Sequence, residues 1–301
     1  MGTPEGRGLD PTVVGAWLLS IVIGGGNAVG IAFVVDELDP LWGAAIRFIG
    51  AGALFAVLVL IFRSPIGSRA SVIGAVLYGV VGFAAAFAFA FIAIRETPPG
   101  TAQLIIAIVP LATFGFAIAH GIERFRWRGL LGALLAVLGV AVVFADRVSG
   151  DVPLGSLLLV VAGALCVAES AVIVKITPRS HPLVTNAIGM LVGGLLLLGL
   201  SALLAESWVA PTRASTIGAL GFLIIGGSVV VFGLYVFVLQ RWTASAAAYG
   251  FLLIPLFTIA YSAVLTGERI TLPFLIGGAV ILAGVWVGAL APPAEPPEST
   301  A

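Results

Sequence analysis

The chain has 301 residues, 60% of them hydrophobic and only 9% charged, with a mean hydropathy of +1.20. A soluble domain carries roughly 25% charged residues, so this surface cannot be wetted all round and a water-soluble globule is excluded. Fourteen basic residues offset fourteen acidic ones, which argues against nucleic acid as a partner, and the single Cys166 supplies neither a disulfide framework nor a thiol metal site.

The first apolar run, 13–35, outlasts a signal-peptide core and is followed by the acidic Asp36-Glu37-Leu38-Asp39 in place of a cleavage site, so it reads as a permanent span. Its Gly24-Gly25-Gly26 run lowers helix propensity by roughly 1 kcal/mol per residue and predicts a bend or opening just before Asn27. Further runs follow at 41–62, 71–94, 98–119, 128–145, 154–176, 182–204, 216–239, 243–265 and 272–290. Their 18 to 24 continuous apolar residues suit helices that cross a core of about 30 Å, whereas barrel strands alternate over about 10 residues. The expected fold is an all-α membrane protein of ten transmembrane helices embedded in the lipid bilayer. The tail 291–301, rich in proline and glutamate, is expected to be a disordered cytoplasmic segment.

Basic residues in the connections give the expected orientation. With the N-terminus inside, the inner segments hold nine of them (Arg7, Arg63, Arg69, Arg124, Arg126, Arg128, Lys175, Arg179 and Arg241) and the outer segments four (Arg95, Arg147, Arg213 and Arg269). The positive-inside rule then places both termini in the cytoplasm.

The chain also repeats itself. A shift of 142 superimposes Pro40 on Pro182, Ala45 on Ala187 and Gly52 on Gly194. A shift of 145 superimposes Gly82 on Gly227, Phe87 on Phe232, Pro110 on Pro255, Glu123-Arg124 on Glu268-Arg269, Gly132 on Gly277 and Gly139 on Gly284. Each copy has five spans, an odd number, so the second enters the membrane from the opposite side. The predicted organisation is one five-helix repeat over 1–146 and a second, inverted repeat over 147–290. Inverted repeats of this kind build transporters whose site lies near the midplane and opens alternately to either side.

Thr97-Pro98-Pro99-Gly100 through Ile105 to Pro110, then Glu123-Arg124 and Gly132 to Gly139-Val140, resembles the signature of EamA-type transporters of the drug/metabolite transporter superfamily. Ala246 to Pro255, Gly267-Glu268-Arg269 and Gly277 to Gly284 resemble its second copy, and Ile122 departs from the pattern where Gly267 keeps it. The resemblance implies ten helices around a central cavity lined mainly by spans 1, 3, 4, 6, 8 and 9, with spans 5 and 10 peripheral. It also implies transport of small polar metabolites, amino acids and related compounds among them.

Polar groups inside the hydrocarbon cost a few kcal/mol each, so each is a candidate. The shift of 142 maps Asn27 onto Glu169, a pair expected either to face substrate, with Glu169 holding an ammonium group or cycling a proton, or to hydrogen-bond between helices. Arg47 and Glu169 lie roughly 9 and 10 Å below opposite surfaces, too far apart in depth to pair directly. Arg47 is a candidate to receive a substrate carboxylate or, alternatively, to snorkel to the interface. Gln103 and Tyr249 fall at nearly equivalent positions of spans 4 and 9, and Tyr78, Ser228 and Tyr235 are further lining candidates unless they bond neighbouring backbone. Pro110 and Pro255 each remove a helical hydrogen bond, predicting either hinges or static bends.

Glu123-Arg124 and Glu268-Arg269 read first as caps or surface ion pairs. His120 and His181 read as interfacial, with no metal or cofactor implied. Small-residue spacings such as Gly284 and Gly288 suit close helix packing, with a span-10 homodimer contact as the weaker option and a monomer the simpler one. The resulting expectation is an inner-membrane transporter that exports small-molecule metabolites, amino acids first, by alternating access, without enzymatic chemistry. The competing readings are a non-transporting scaffold, which suits a dry bundle, and a carrier of lipophilic cations, which calls for aromatic walls around Glu169.

Overall fold

A computed structural model describes residues 10–93, 96–97, 105–143, 152–266 and 271–290, and helices are the only regular structure among them. In chain order they are α1 (Pro11–Val35), α2 (Pro40–Ile61), α3 (Arg69–Ala93), α4 (Val109–Ala119), α5 (Trp127–Val143), α6 (Leu154–Ile176), α7 (Pro182–Leu203), α8 (Ala214–Leu239), α9 (Ala244–Ala248 continuing as Gly250–Thr266) and α10 (Leu272–Val285 continuing through Trp286–Leu290). Eight of these are long and apolar enough to cross a membrane, while α4 and α5 are shorter apolar helices. Large apolar side chains such as Leu60, Leu154 and Leu203 point outward and exposed, an arrangement suited to lipid and costly in water.

The helix starts follow from local chemistry. Asp10, Ser68 and Thr243 accept from the free backbone N–H groups of Thr12, Ser71 and Ala246, and Pro11, Pro40 and Pro182 occupy first-turn positions where no donor is needed. The start of α2 is capped from a distance: Glu206, after α7, accepts from Leu41 N (3.2 Å) and Trp42 N (2.8 Å). Glu37 does the same for α8, accepting from Thr212 and Arg213 backbone N–H groups. Carboxylates at these positions also face the positive helix ends.

The glycine run breaks α1 at Gly26, which lies between Pro11–Gly25 and Asn27–Val35. A Cβ on Gly25 would lie 2.5 Å from Phe257 Cβ, so the missing side chain lets α9 press against the break, where Thr258 Oγ1 donates to the freed Gly25 carbonyl (2.9 Å).

Pro110 departs from the expected kink. α4 begins at Val109 after a turn at 107–108, which puts Pro110 in the first helical turn, where its absent N–H costs nothing. Pro255 does lie inside its helix.

Two long pairings hold the bundle. In α2 and α7, a Cβ on Gly52 would meet Leu191 N at 2.9 Å and one on Gly194 would meet Ile49 N at 2.8 Å. In α5 and α10, Gly132 faces Gly288 and the Gly284 carbonyl, Gly139 faces Ile281, and Gly277 faces Val143. Positions rise along one helix as they fall along the other, so both pairs run antiparallel. α3 and α8 each contain a π-helical turn, Gly79–Ala85 and Ile225–Val230.

Candidate functional site

A cavity of about 310 Å³ lies at the centre of the bundle, within the roughly 300–1,000 Å³ usual for small-molecule sites. Its wall comes from α1 (Trp17, Ser20, Asn27, Ile31), α3 (Phe87, Phe91), Ile106 and Val109 at the head of α4, α6 (Gly163, Ala164, Val167), α8 (Phe232, Tyr235) and α9 (Phe251, Ile254). Arg47 of α2 joins them, and no lining residue comes from α5, α7 or α10.

The wall is therefore apolar and aromatic with one cation. Arg47 is 1% exposed, and its guanidinium is held on three sides. Nε donates to Ser228 Oγ (2.9 Å), and Nη2 donates to the Gly227 carbonyl (3.0 Å) and to Asn27 Oδ1 (3.3 Å). Asn27 in turn donates through Nδ2 to the Gly227 carbonyl (3.4 Å). Gly227 and Ser228 both belong to the π-helical turn of α8, whose altered ladder presents a backbone oxygen to side chains; such turns recur at functional sites. Gly227 itself has to lack a side chain, because a Cβ there would sit 2.0 Å from Asn27 Oδ1.

The guanidinium carbon is 5.0 Å from the Phe48 ring centre and 5.4 Å from that of Phe87, close enough for cation–π attraction. Nη1 has no hydrogen-bond partner, and neither does the Tyr235 hydroxyl. Among the described residues, no carboxylate borders the cavity or ion-pairs with Arg47.

The remaining candidates lie elsewhere. Glu169 is outside the cavity wall and faces His120 Nε2 (3.3 Å), with both side chains partly exposed. Its matched partner Asn27 is in the wall, so the two do not form a substrate-facing pair; α6 turns a different face inward at Val167. Tyr249 points away from the cavity and donates to the Gly129 carbonyl of α5, filling the space beside Gly288. Tyr78 is buried against Gly189 and Phe83, also outside the wall, and its hydroxyl is unpartnered. Ser228 reaches the site only through Arg47. Gln103, together with Glu268 and Arg269, lies outside the described residues. No group of three or more His, Cys, Asp or Glu side chains converges as a metal site among the described residues.

Sequence reasoning passed over the aromatic wall, although one signal was present: Phe87 and Phe232, superimposed by the shift of 145, both face the cavity. Lys175, the only lysine, served there only to set the orientation, and its Nζ donates to the Leu239 (2.8 Å) and Trp242 (2.7 Å) carbonyls at the end of α8. Glu123 accepts from Ser245 N (3.0 Å) and from its hydroxyl, tying the α4–α5 turn to the start of α9, in keeping with the capping role.

The chain is similar to known membrane transporters along most of its length. It is 25% identical over 277 residues to the uncharacterized inner membrane transporter YedA of Escherichia coli strain K12, covering 91% of this chain and 89% of that protein. It is 27% identical over 282 residues to a probable amino-acid metabolite efflux pump of Salmonella typhimurium strain LT2, covering 90% and 92%. A solved crystal structure superimposes with a TM-score of 0.77 at 21% identity over 93% of this chain and 96% of that one, which shows a shared fold. The profile of the EamA-like transporter family matches residues 12–145 and again 154–289. This chain is a multi-pass membrane protein and belongs to the EamA-like transporter family.

Proposed function

We propose that the protein exports small metabolites of the amino-acid class across the inner membrane by alternating access, with ten crossings in two inverted five-helix halves and both termini in the cytoplasm. The observation that carries this reading is the central cavity, walled by helices of both halves and holding a buried, hydrogen-bonded Arg47. A transporter's substrate site is expected there, at the repeat interface. The helix pairings support the inversion. Gly52 meets Leu191 and Gly194 meets Ile49, and each contact becomes the other under the shift of 142. Gly132 with Gly288 and Gly277 with Val143 are related in the same way by the shift of 145. Matched helices that pack antiparallel onto their own counterparts are what a two-fold axis in the membrane plane produces. The printed name of the Salmonella relative supports the amino-acid class.

The test is flux of a labelled amino-acid panel in vesicles carrying the purified protein, combined with thiol labelling of Asn27→Cys and Ala164→Cys in a Cys166→Ser background. Saturable, protein-dependent flux with both cysteines labelled from each side in turn is the expected result. No flux for any solute, with both cysteines sealed from either side, would support the scaffold instead. The carrier of lipophilic cations has the aromatic wall it calls for, but that wall surrounds Arg47, whose charge repels a cation.

A further inference from the structure

The geometry points to a substrate that is an organic carboxylate with an uncharged, apolar body, its head on the Arg47 guanidinium and its tail against the phenylalanine wall. This rests on the transporter reading above and moves its substrate from free amino acids to acids without an ammonium group.

A guanidinium that is 1% exposed carries a large desolvation cost, and a carboxylate partner is the usual compensation. Here the protein supplies only neutral acceptors, from Ser228, Asn27 and the Gly227 carbonyl, and leaves Nη1 unpaired in a side chain that lines the cavity. A carboxylate brings the missing negative charge, and a guanidinium is shaped to receive it. The rest of the wall selects the body of the molecule. Phe87, Phe232, Phe251 and Ile254 offer no acceptor, and no acidic side chain among the described lining residues faces the space. A ligand ammonium group therefore gives up its water without a carboxylate in exchange, whereas an alkyl or aryl tail gains from burial. The site is matched to acids whose nitrogen is absent or neutralised, ahead of free amino acids.

Three probes with one carbon skeleton separate the alternatives: 4-methylpentanoate, its amide, and leucine, each measured by equilibrium binding to the purified protein in detergent. The acid is expected to bind at least tenfold more tightly than either of the others. Arg47→Met is expected to weaken it at least tenfold and Arg47→Lys to recover only part of the loss. Phe251→Ala, which leaves Arg47 and its partners in place and tests the wall even if the Arg47 variants do not fold, is expected to cost about threefold. Leucine binding equal to or tighter than the acid overturns the inference, as does acid binding unchanged by Phe251→Ala together with Arg47→Met. Leucine flux in vesicles without acid binding overturns the inference alone; absence of flux for every amino acid of the panel and for 4-methylpentanoate overturns the transporter reading with it.

Discussion

At the scale of single residues, Arg47 and Glu169 show how burial and position separate two charges that look alike in sequence. Arg47 is clamped by the π-helical turn of α8 and borders the cavity, whereas Glu169 meets His120 at a partly exposed place. An ion pair of that exposure is worth under about 1 kcal/mol. Glu169→Gln is therefore expected to leave solute flux within about twofold of wild type and the melting temperature nearly unchanged; a loss of flux beyond tenfold would return Glu169 to the transport path. Glu37 offers a pH test outside the membrane. Hydrogen bonds from Thr212, first of all its hydroxyl, and from Thr216 pull its carboxyl down from 4.5 to about 2. A depressed folded-state pKa stabilises above the unfolded value and loses that contribution as pH falls through the folded one. The stability gap between wild type and Glu37→Gln is expected to be constant above about pH 5 and to close toward pH 2, read from thermal melts across that range. A gap independent of pH would contradict the assignment.

At the scale of elements, close approach decides which helices pair. A Cβ on Gly284 would lie 2.6 Å from Ala136 N and from the Gly132 carbonyl, both backbone and unable to move aside, so Gly284→Leu has to part α5 from α10. Overpacking of this kind costs about 1–3 kcal/mol or more, and a clear drop in melting temperature is expected. Gly218→Leu, where nothing lies within 4 Å, is the control and is expected to melt like wild type. Equal melts for the two variants would refute the packing argument. At Glu123, removal of the carboxylate leaves the Ser245 N–H and hydroxyl at the start of α9 without their acceptor. Glu123→Ala is expected to cost about 1–3 kcal/mol in the same assay.

Much of this level was legible in the chain itself. The apolar runs mark the helices, Pro40 and Pro182 mark helix starts, and the triple glycine marks the break in α1. Pro110 misled because a proline reads as a kink inside a long run and as a start after a turn, and run length alone does not separate the two. The π-helical turns have no composition signature, so the groove that holds Arg47 stayed hidden.

At the scale of the whole molecule, the principal pairings, α2 with α7 and α5 with α10, join the first five helices to the last five. Neither set covers its own glycine faces. Chains divided between residues 144 and 151 are therefore expected to copurify when expressed together and to melt as one species, while either piece alone aggregates or self-associates. Recovery of each piece as a stable monomer would show that the interface does not hold the fold together.

Hydropathy is a sum along the chain, and sums of that kind determine how many apolar runs there are, how long they are and how they repeat. This is why membrane embedding, helical class and the duplicated pattern could be read before any coordinates. Which side chains meet is a question of rotation about each helix axis, and a single inserted residue in a π turn re-phases a helix face by about 100°. Only the folded bundle, with its glycine contacts fixing those rotations, brought Asn27, Arg47 and Tyr235 to one cavity and turned Glu169, Tyr78 and Tyr249 away from it.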